Sequence, residues 1–199
     1  VSNIASCIVS ICYNAQLLAY AGPKGVSAYG IIMYISFAFM AVFIGYSIGI
    51  APFVGYQYGA KNNEELHNIL KRSLMIIAVI GVAMFTISEL VGPYFCAVFA
   101  KNDQELLQYS YDSVHIYSFV FLTCGFSMFA SSFFTALNNG LVSAVISMVR
   151  SIVFELVCIF LFPPLLGMSG IWAAGPFAEI GSSLMVIYFF MKERKRYHY

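Results

Sequence analysis

Along the chain, apolar residues fall in long runs rather than in alternation. Six windows of mostly apolar residues stand out, at roughly 1–20, 28–54, 73–98, 113–136, 142–163 and 169–191. A helix needs about 20 such residues to cross a hydrocarbon core roughly 30 Å thick. Unbroken runs of this length argue against the alternating pattern of a barrel strand. The pattern predicts an all-α membrane protein, a six-transmembrane-helix bundle. The first window is the weakest, because Asn3, Asn14 and Gln16 dilute it. Between windows, "KNNEEL" (Lys61 to Leu66) and "KNDQEL" (Lys101 to Leu106) each place Asn three residues before Glu. That is capping-box spacing with Asn in place of Ser or Thr, so Asn62 and Asn102 are expected to start helices. Leu66, Ile69 and Leu70 then have helical spacing and predict a short amphipathic helix on the membrane surface. The two motifs read as one kind of helix start used twice rather than as an internal repeat.

Composition agrees. The 199 residues are 61% hydrophobic and 10% charged, with mean hydropathy +0.84. Soluble domains run at about 45–50% apolar and about 25% charged. Lipid must therefore be the solvent for most of this chain. The charges assign sides. Lys61, Lys71, Arg72, Lys192, Arg194, Lys195 and Arg196 fall on one side, and only Lys24 and Lys101 on the other. By the positive-inside rule, both ends of the chain are expected in the cytoplasm. A net charge of +1 gives no footprint for nucleic acid. Cys7, Cys12, Cys96, Cys124 and Cys158 are odd in number and scattered, with no disulfide framework and no metal-ligand spacing. Val1 opens the chain inside an apolar stretch with no charged region before it. It reads as a chain cut near the start of its first helix, not as a signal peptide.

Against this background the polar and small residues inside the windows carry the information. "SMVRSIVFELVCIF" (Ser147 to Phe160) puts Arg150 and Glu155 within roughly 6 Å of the midplane of the fifth window. Five α-helical residues rotate by about 140°, so the two cannot pair on one face and each needs a partner on another helix. Glu179, near the centre of the sixth window, is the best partner, with Glu89 a further one nearer the outer surface. Intramembrane charges are functional-site candidates by default, with a structural ion pair as the alternative. Arg150 stays charged and cannot shuttle a proton, whereas a buried carboxylate such as Glu155, Glu179 or Glu89 can. Asp112 and His115 are expected at the outer mouth of the fourth window, and His67 and His198 at the surface. Ala41, Gly45 and Gly49 recur every four residues before Pro52, and Gly170, Ala174, Ala178 and Ser182 do so in the sixth window. Such stripes let helices approach closely, and Pro52 can kink its helix. Cys124, Ser127, Ser131 and Thr135 form a small, weakly polar face. Asn14, Gln16, Met33, Tyr34, Phe37, Met40, Ser127, Met128 and Ser131 are the candidate lining of a soft cavity for bulky cations.

Several phrases then converge. "YAGPKGVSAYGI" (Tyr20 to Ile31), "IAPFVGYQYGAKN" (Ile50 to Asn62), "FFTALNNG" (Phe133 to Gly140), "VRSIVFELVCIFLFPP" (Val149 to Pro164) and "PPLLGMSGIWAAGPFAE" (Pro163 to Glu179) follow in order along nearly the whole chain. The series resembles the carboxy-terminal lobe of multidrug and toxic compound extrusion (MATE) transporters. The resemblance implies one lobe of a twelve-helix, two-lobe transporter, helices seven to twelve. Residues 1–199 would be that lobe, with the amino-terminal lobe absent. It implies antiport of organic cations or drugs against H+ or Na+ by alternating access, with no cofactor, in the bacterial cytoplasmic membrane. Two parallel six-helix lobes fit the expectation that each starts and ends inside. Some branches of that family carry coupling carboxylates in helices seven and ten. Here the first window has only Asn14 and Gln16 near its middle, and the fourth has no acid deeper than Asp112. Thr135 also stands where a larger polar residue is expected. The coupling acid is therefore expected in the amino-terminal lobe, with Glu155 and Glu179 as what this lobe offers. A flippase of lipid-linked oligosaccharide or cell-wall precursor is the nearest alternative, and a non-transporting membrane scaffold is another. No Gly-x-Ser-x-Gly or His-Glu-x-x-His pattern points to an enzyme.

Overall fold

The computed structural model describes residues 2–100 and 103–197, with side chains from residue 6 onward. The helices are α1 (Ser2–Gly59), α2 (Asn63–Phe99), α3 (Gln104–Tyr117), α4 (Val120–Ala136) and α5 (Gly140–Met148). A π-helical segment, Val149–Phe154, follows, and then α6 (Glu155–Leu161), α7 (Pro163–Leu166) and α8 (Met168–Tyr197).

At 58 residues, α1 would be about 87 Å long if straight, nearly three bilayer cores. It is instead a helical hairpin. Gly22 has φ 63° and ψ −158°, the one non-helical residue inside α1, and Pro23 follows it without an amide hydrogen to continue the ladder. The reversal is visible in the side chains. Tyr13 and Tyr29 would lie about 24 Å apart on a straight helix, yet their rings stack at 5.3 Å. By length and apolarity α1, α2, Gly140–Leu166 and α8 can each cross a membrane, as can the bent α3–α4 pair, and the reversal at Gly22 divides α1 into two arms.

Three local expectations need correction. The 113–136 window is not one helix, because α3 and α4 meet at a 50° bend, where Ser118 turns its hydroxyl back onto the Val114 carbonyl. The stretch after Asn62 is not a separate surface helix. Nothing between Leu70 and Ser73 breaks it, and it runs on into α2. Asn62 does cap it, accepting from the Glu65 amide. In the second motif the cap is Asp103, which accepts from the Glu105 and Leu106 amides; Asn102 and Lys101 lie outside the described residues, as does His198.

Asp103 also reaches Lys24, at 2.9 Å, and Lys24 reaches Glu105 at 2.7 Å. This exposed trio ties the hairpin turn to the start of α3. Lys24 holds the Asp103 carboxyl below its ordinary range. Glu105 and then Asp103 hold the Lys24 ammonium above its own.

Packing centres on α4, which touches α1, α2, α5 and α8. Its Phe121, Phe129, Phe133 and Phe134 are buried. Lipid is as apolar as these rings, so close fit and dispersion hold the helices together, not expulsion from water. The α8 stripe uses this logic. Gly170, Ala174 and Ala178 are buried, and a Cβ on Gly170 would run into the Phe162 carbonyl. The α1 stripe does not. Ala41, Gly45 and Gly49 are exposed, and nothing lies within 4 Å of where a Cβ would stand on Gly45 or Gly49. Pro52 is exposed too, and α1 passes through it with helical dihedrals.

Three outcomes follow. Gly170→Ala should lower the thermal midpoint of the detergent-purified chain, since overpacking costs about 1–3 kcal/mol. Gly45→Ala should leave it unchanged or raise it, by up to about 1 kcal/mol of helix propensity. Asp103→Ala should lower the midpoint at pH about 7, and the difference from wild type should shrink as the pH falls below the ordinary carboxylate range. The sign follows from the depressed carboxyl, whose contribution exists above its unfolded pKa and disappears as pH falls through its folded one.

Candidate functional site

Arg150 and Glu179 meet inside the bundle. The guanidinium donates through Nη2 at 2.6 Å and Nε at 2.8 Å, both to Oε1 of Glu179. Glu179 is 2% exposed. Its Oε2 is buried without a hydrogen-bond partner. Small residues on α8 let the two helices come close enough, with Gly181 packed against the Phe154 ring.

The π-helical segment changes the expected geometry around Arg150. In a π-helix the amide bonds run from i to i+5. Residues five apart therefore approach one line instead of diverging by about 140°. Arg150 lies within Val149–Phe154 and Glu155 ends it. Both consequently bear on the same neighbourhood. Glu155 acts electrostatically on Arg150 and Glu179, although it makes no hydrogen bond or ion pair among the described residues. Its charge also reaches the phenols of Tyr13, Tyr29 and Tyr117.

In front of this cluster lies a groove of about 320 Å³. Its walls are Ile44 and Ile48 from α1, Ser127, Met128 and Ser131 from α4, and Ser147, Arg150 and Ser151 from the fifth pass. The serines are tied together. Ser131 meets the hydroxyls of Ser143 and Ser147, each at 2.8 Å. Ser127 meets Ser182 of α8 at 2.8 Å, and Ser132 donates to the Ser47 carbonyl at 2.8 Å. Thr135 donates to Ser143 at 2.7 Å. Arg150 belongs to both places, since its charge is held by Glu179 while its side chain lines the groove.

Ser127, Met128 and Ser131 are thus brought together, and the other candidate cavity residues are not. Asn14 bonds back to the Ser10 carbonyl of its own helix, and Gln16 is half-buried away from the groove. Met33 and Met40 pack against the core. Tyr34 and Phe37 are 66% and 71% exposed, with Tyr34 stacked on Phe99. Glu89 joins His115, Oε2 to Nδ1 at 2.8 Å, beside a separate cavity of about 370 Å³ with Pro93 and Tyr111. Sequence reasoning missed Ser143, Ser147 and Ser151, although their four-residue spacing is a readable helical stripe. It also missed Ser132 and Ser47, whose pairing depends on the tertiary fold.

The class is that of a helical membrane bundle with an ion pair set behind a polar groove. The MatE family model matches residues 1–161, and the chain belongs to that family. Solved structures share the fold. The Vibrio cholerae MATE transporter VcmN in its bent form is 17% identical, with a TM-score of 0.89 over 98% of this chain and 44% of its own. A MATE protein in complex with MaL6 is 19% identical, with a TM-score of 0.87 over 99% of this chain and 44% of its own. A MOP superfamily transporter from Pyrococcus furiosus is 18% identical, with a TM-score of 0.86 over the same shares. The chain spans less than half the length of each. No curated protein sequence matches it.

Removing one member of the buried pair should be worse than removing both. Arg150→Met strands the Glu179 carboxylate and should destabilise by about 3–5 kcal/mol. Arg150→Met with Glu179→Leu should recover most of that loss in denaturant unfolding of the detergent-purified chain. Additive losses would mean the pair is not coupled.

Proposed function

We propose that this lobe forms one wall of a secondary active exporter that moves organic cations or drugs against H+ or Na+. A second, amino-terminal lobe would form the other wall, and alternating access would follow from rocking of the two. The observation that carries the reading is the Arg150–Glu179 ion pair, its carboxylate buried and Glu155 half-buried beside Arg150 in the chain, set behind a polar groove. A scaffold has no need to hold two carboxylates at this depth, where each is strongly disfavoured without a task. The outward stripe of Ala41, Gly45 and Gly49 supports the second wall. Glycine in a helix interior costs about 0.5–1 kcal/mol and gains nothing against lipid, but it lets another backbone approach. Ile44 and Ile48, beside that stripe, also line the groove. An outward-facing and an inward-facing MATE-family structure match the lobe with the same TM-score, 0.87, as expected of a lobe that moves as a body. By this reading the protein lies in the bacterial cytoplasmic membrane with both ends of the lobe inside.

One observation favours a second reading. Among the described residues, Arg150 is the single charged side chain lining the groove, which suits an anionic headgroup better than a cation. The Pyrococcus furiosus relative is described as having a binding pocket of reverse polarity that suggests a different function. Export of a lipid-linked oligosaccharide or wall precursor is the corresponding activity.

The test places this lobe in an intact two-lobe transporter in proteoliposomes. Efflux of a fluorescent cationic dye is driven first by a proton gradient and then by a sodium gradient. Wild type should export under one of them, and Glu155→Gln or Glu179→Gln should lower the gradient-driven rate at least tenfold. Export unchanged in both variants moves coupling to the other lobe. No export under any gradient favours the precursor flippase.

A further inference from the structure

We propose that the cavity between α2 and α3 binds the primary ammonium headgroup of a membrane lipid, a phosphatidylethanolamine, with Glu89 and His115 as its acceptors. The proposal goes beyond the exporter reading and holds whatever the lobe transports.

The site is built on one contact between two helices. Glu89 of α2 meets His115 of α3 at 2.8 Å, Oε2 to Nδ1. An ionised carboxylate only accepts, so Nδ1 carries the hydrogen and donates it. In a neutral imidazole this leaves Nε2 as an acceptor. Among the described residues Nε2 has no protein partner. Oε1 of Glu89 is buried and has none either. Two acceptors without protein partners therefore belong to one paired unit. It lines a cavity of about 370 Å³, with Pro93, Tyr111 and Val114 in the same wall. A ring such as that of Tyr111 also offers its face to a cation.

The chemistry of the wall selects the occupant. The carboxylate asks for positive charge, and the two acceptors ask for N–H donors. The chain supplies neither here: Lys24, a cation at the start of α3, is held by Asp103 and Glu105. A transition metal does not fit, because among the described residues no third His, Cys, Asp or Glu joins the pair. The volume is far larger than the roughly 30 Å³ of one water, so it suits an organic group rather than a bare ion. A quaternary ammonium has the charge but no N–H, whereas a primary ammonium has three.

Position makes that ammonium a lipid's. Glu89 lies eight residues, about 12 Å, beyond the middle of α2 at Gly81. For a helix centred on the bilayer this is just inside the roughly 15 Å half-thickness of the hydrocarbon core, under the headgroups. Around the cavity Leu90, Tyr94 and Phe119 are 67%, 76% and 46% exposed, and Phe119 meets the His115 ring edge-on at 6.5 Å. Apolar side chains exposed at this depth face lipid. The cavity shares no residue with the serine groove that faces the second wall.

The test removes the N–H donors one at a time. The detergent-purified chain is titrated with dioleoyl phosphatidylethanolamine, its N-methyl and N,N-dimethyl derivatives, and dioleoyl phosphatidylcholine. Buffer at pH about 8 lies above the ordinary range of imidazole protonation. Bound lipid is read by native mass spectrometry. The apparent Kd should rise with each N–H removed, by about tenfold across the series, as for one charge-assisted hydrogen bond. Glu89→Gln, similar in shape but uncharged, should bind the four lipids alike, and His115→Ala should narrow the preference. Asp112→Asn, which changes an exposed acid of the same helix that is bonded to Gln108, should keep it. The thermal midpoint checks the fold of each variant, and the methylation series on wild type carries the test if Glu89→Gln does not fold.

Equal affinity of wild type for the four lipids overturns the proposal, as does a preference that survives in Glu89→Gln or is lost in Asp112→Asn. Displacement of the lipid by phosphoethanolamine in solution also overturns it, since the site would then take a soluble amine. Transport plays no part in the readout, so failure here leaves the exporter reading standing, and absent dye export leaves this site standing.

Discussion

The constraint on which this lobe depends is that Arg150 cannot lose its charge. A guanidinium stays protonated at any depth in a membrane. Placed near the midplane it must find an anion or water, and it finds Glu179, 29 residues later. That contact fixes how the fifth pass and α8 face one another. Gly181 lies against Phe154 beside it, and Ser182 reaches Ser127 one turn beyond. The net stability gained is small, because desolvation of two ions offsets most of their attraction. What the pair contributes is register. A sliding or rotated α8 would strand two charges in hydrocarbon, so alternatives to this packing are excluded more strongly than this packing is favoured.

The π-helical segment is the second half of that arrangement. A regular helix would aim Arg150 and Glu155 at different neighbours. Widening the ladder over Val149–Phe154 brings them to bear on one another and on α8. Such segments are less stable than the α-helix they interrupt, and they occur most often where function holds them. Here the benefit is electrostatic. Three charges that would lie apart become one cluster, whose members feel each other through a medium of low dielectric.

How much of this was legible in the sequence follows the range of the interaction that decides it. Run length alone gave the membrane bundle, since twenty apolar residues have few other uses. The partner of Arg150 was readable as Glu179 because so few charges lie at that depth. Caps were half-readable: Asn62 acts as expected, while Asp103 caps α3 because it also answers Lys24. The reversal at Gly22 falls between the first two apolar windows, whereas the bend after Tyr117 was not visible, as one serine in an apolar run has many meanings. Nor was the direction of the stripes. Gly45 and Gly170 have the same spacing to their neighbours, yet one looks outward and the other touches the Phe162 carbonyl. Spacing defines a face of a helix, and only the tertiary fold says what that face meets. The aromatic candidates Tyr34 and Phe37 lie exposed away from the groove for the same reason, whereas Ser127 and Ser131 line it, their hydroxyls bonded to neighbouring serines.

Arg150 also links two parts of the bundle. Its charge is held by Glu179 while its side chain lines the groove. The guanidinium is permanent, so the groove wall keeps a charged edge whatever lies against it. Loss of the Glu179 contact would therefore be felt at the groove as well as between the fifth pass and α8, since one side chain serves both.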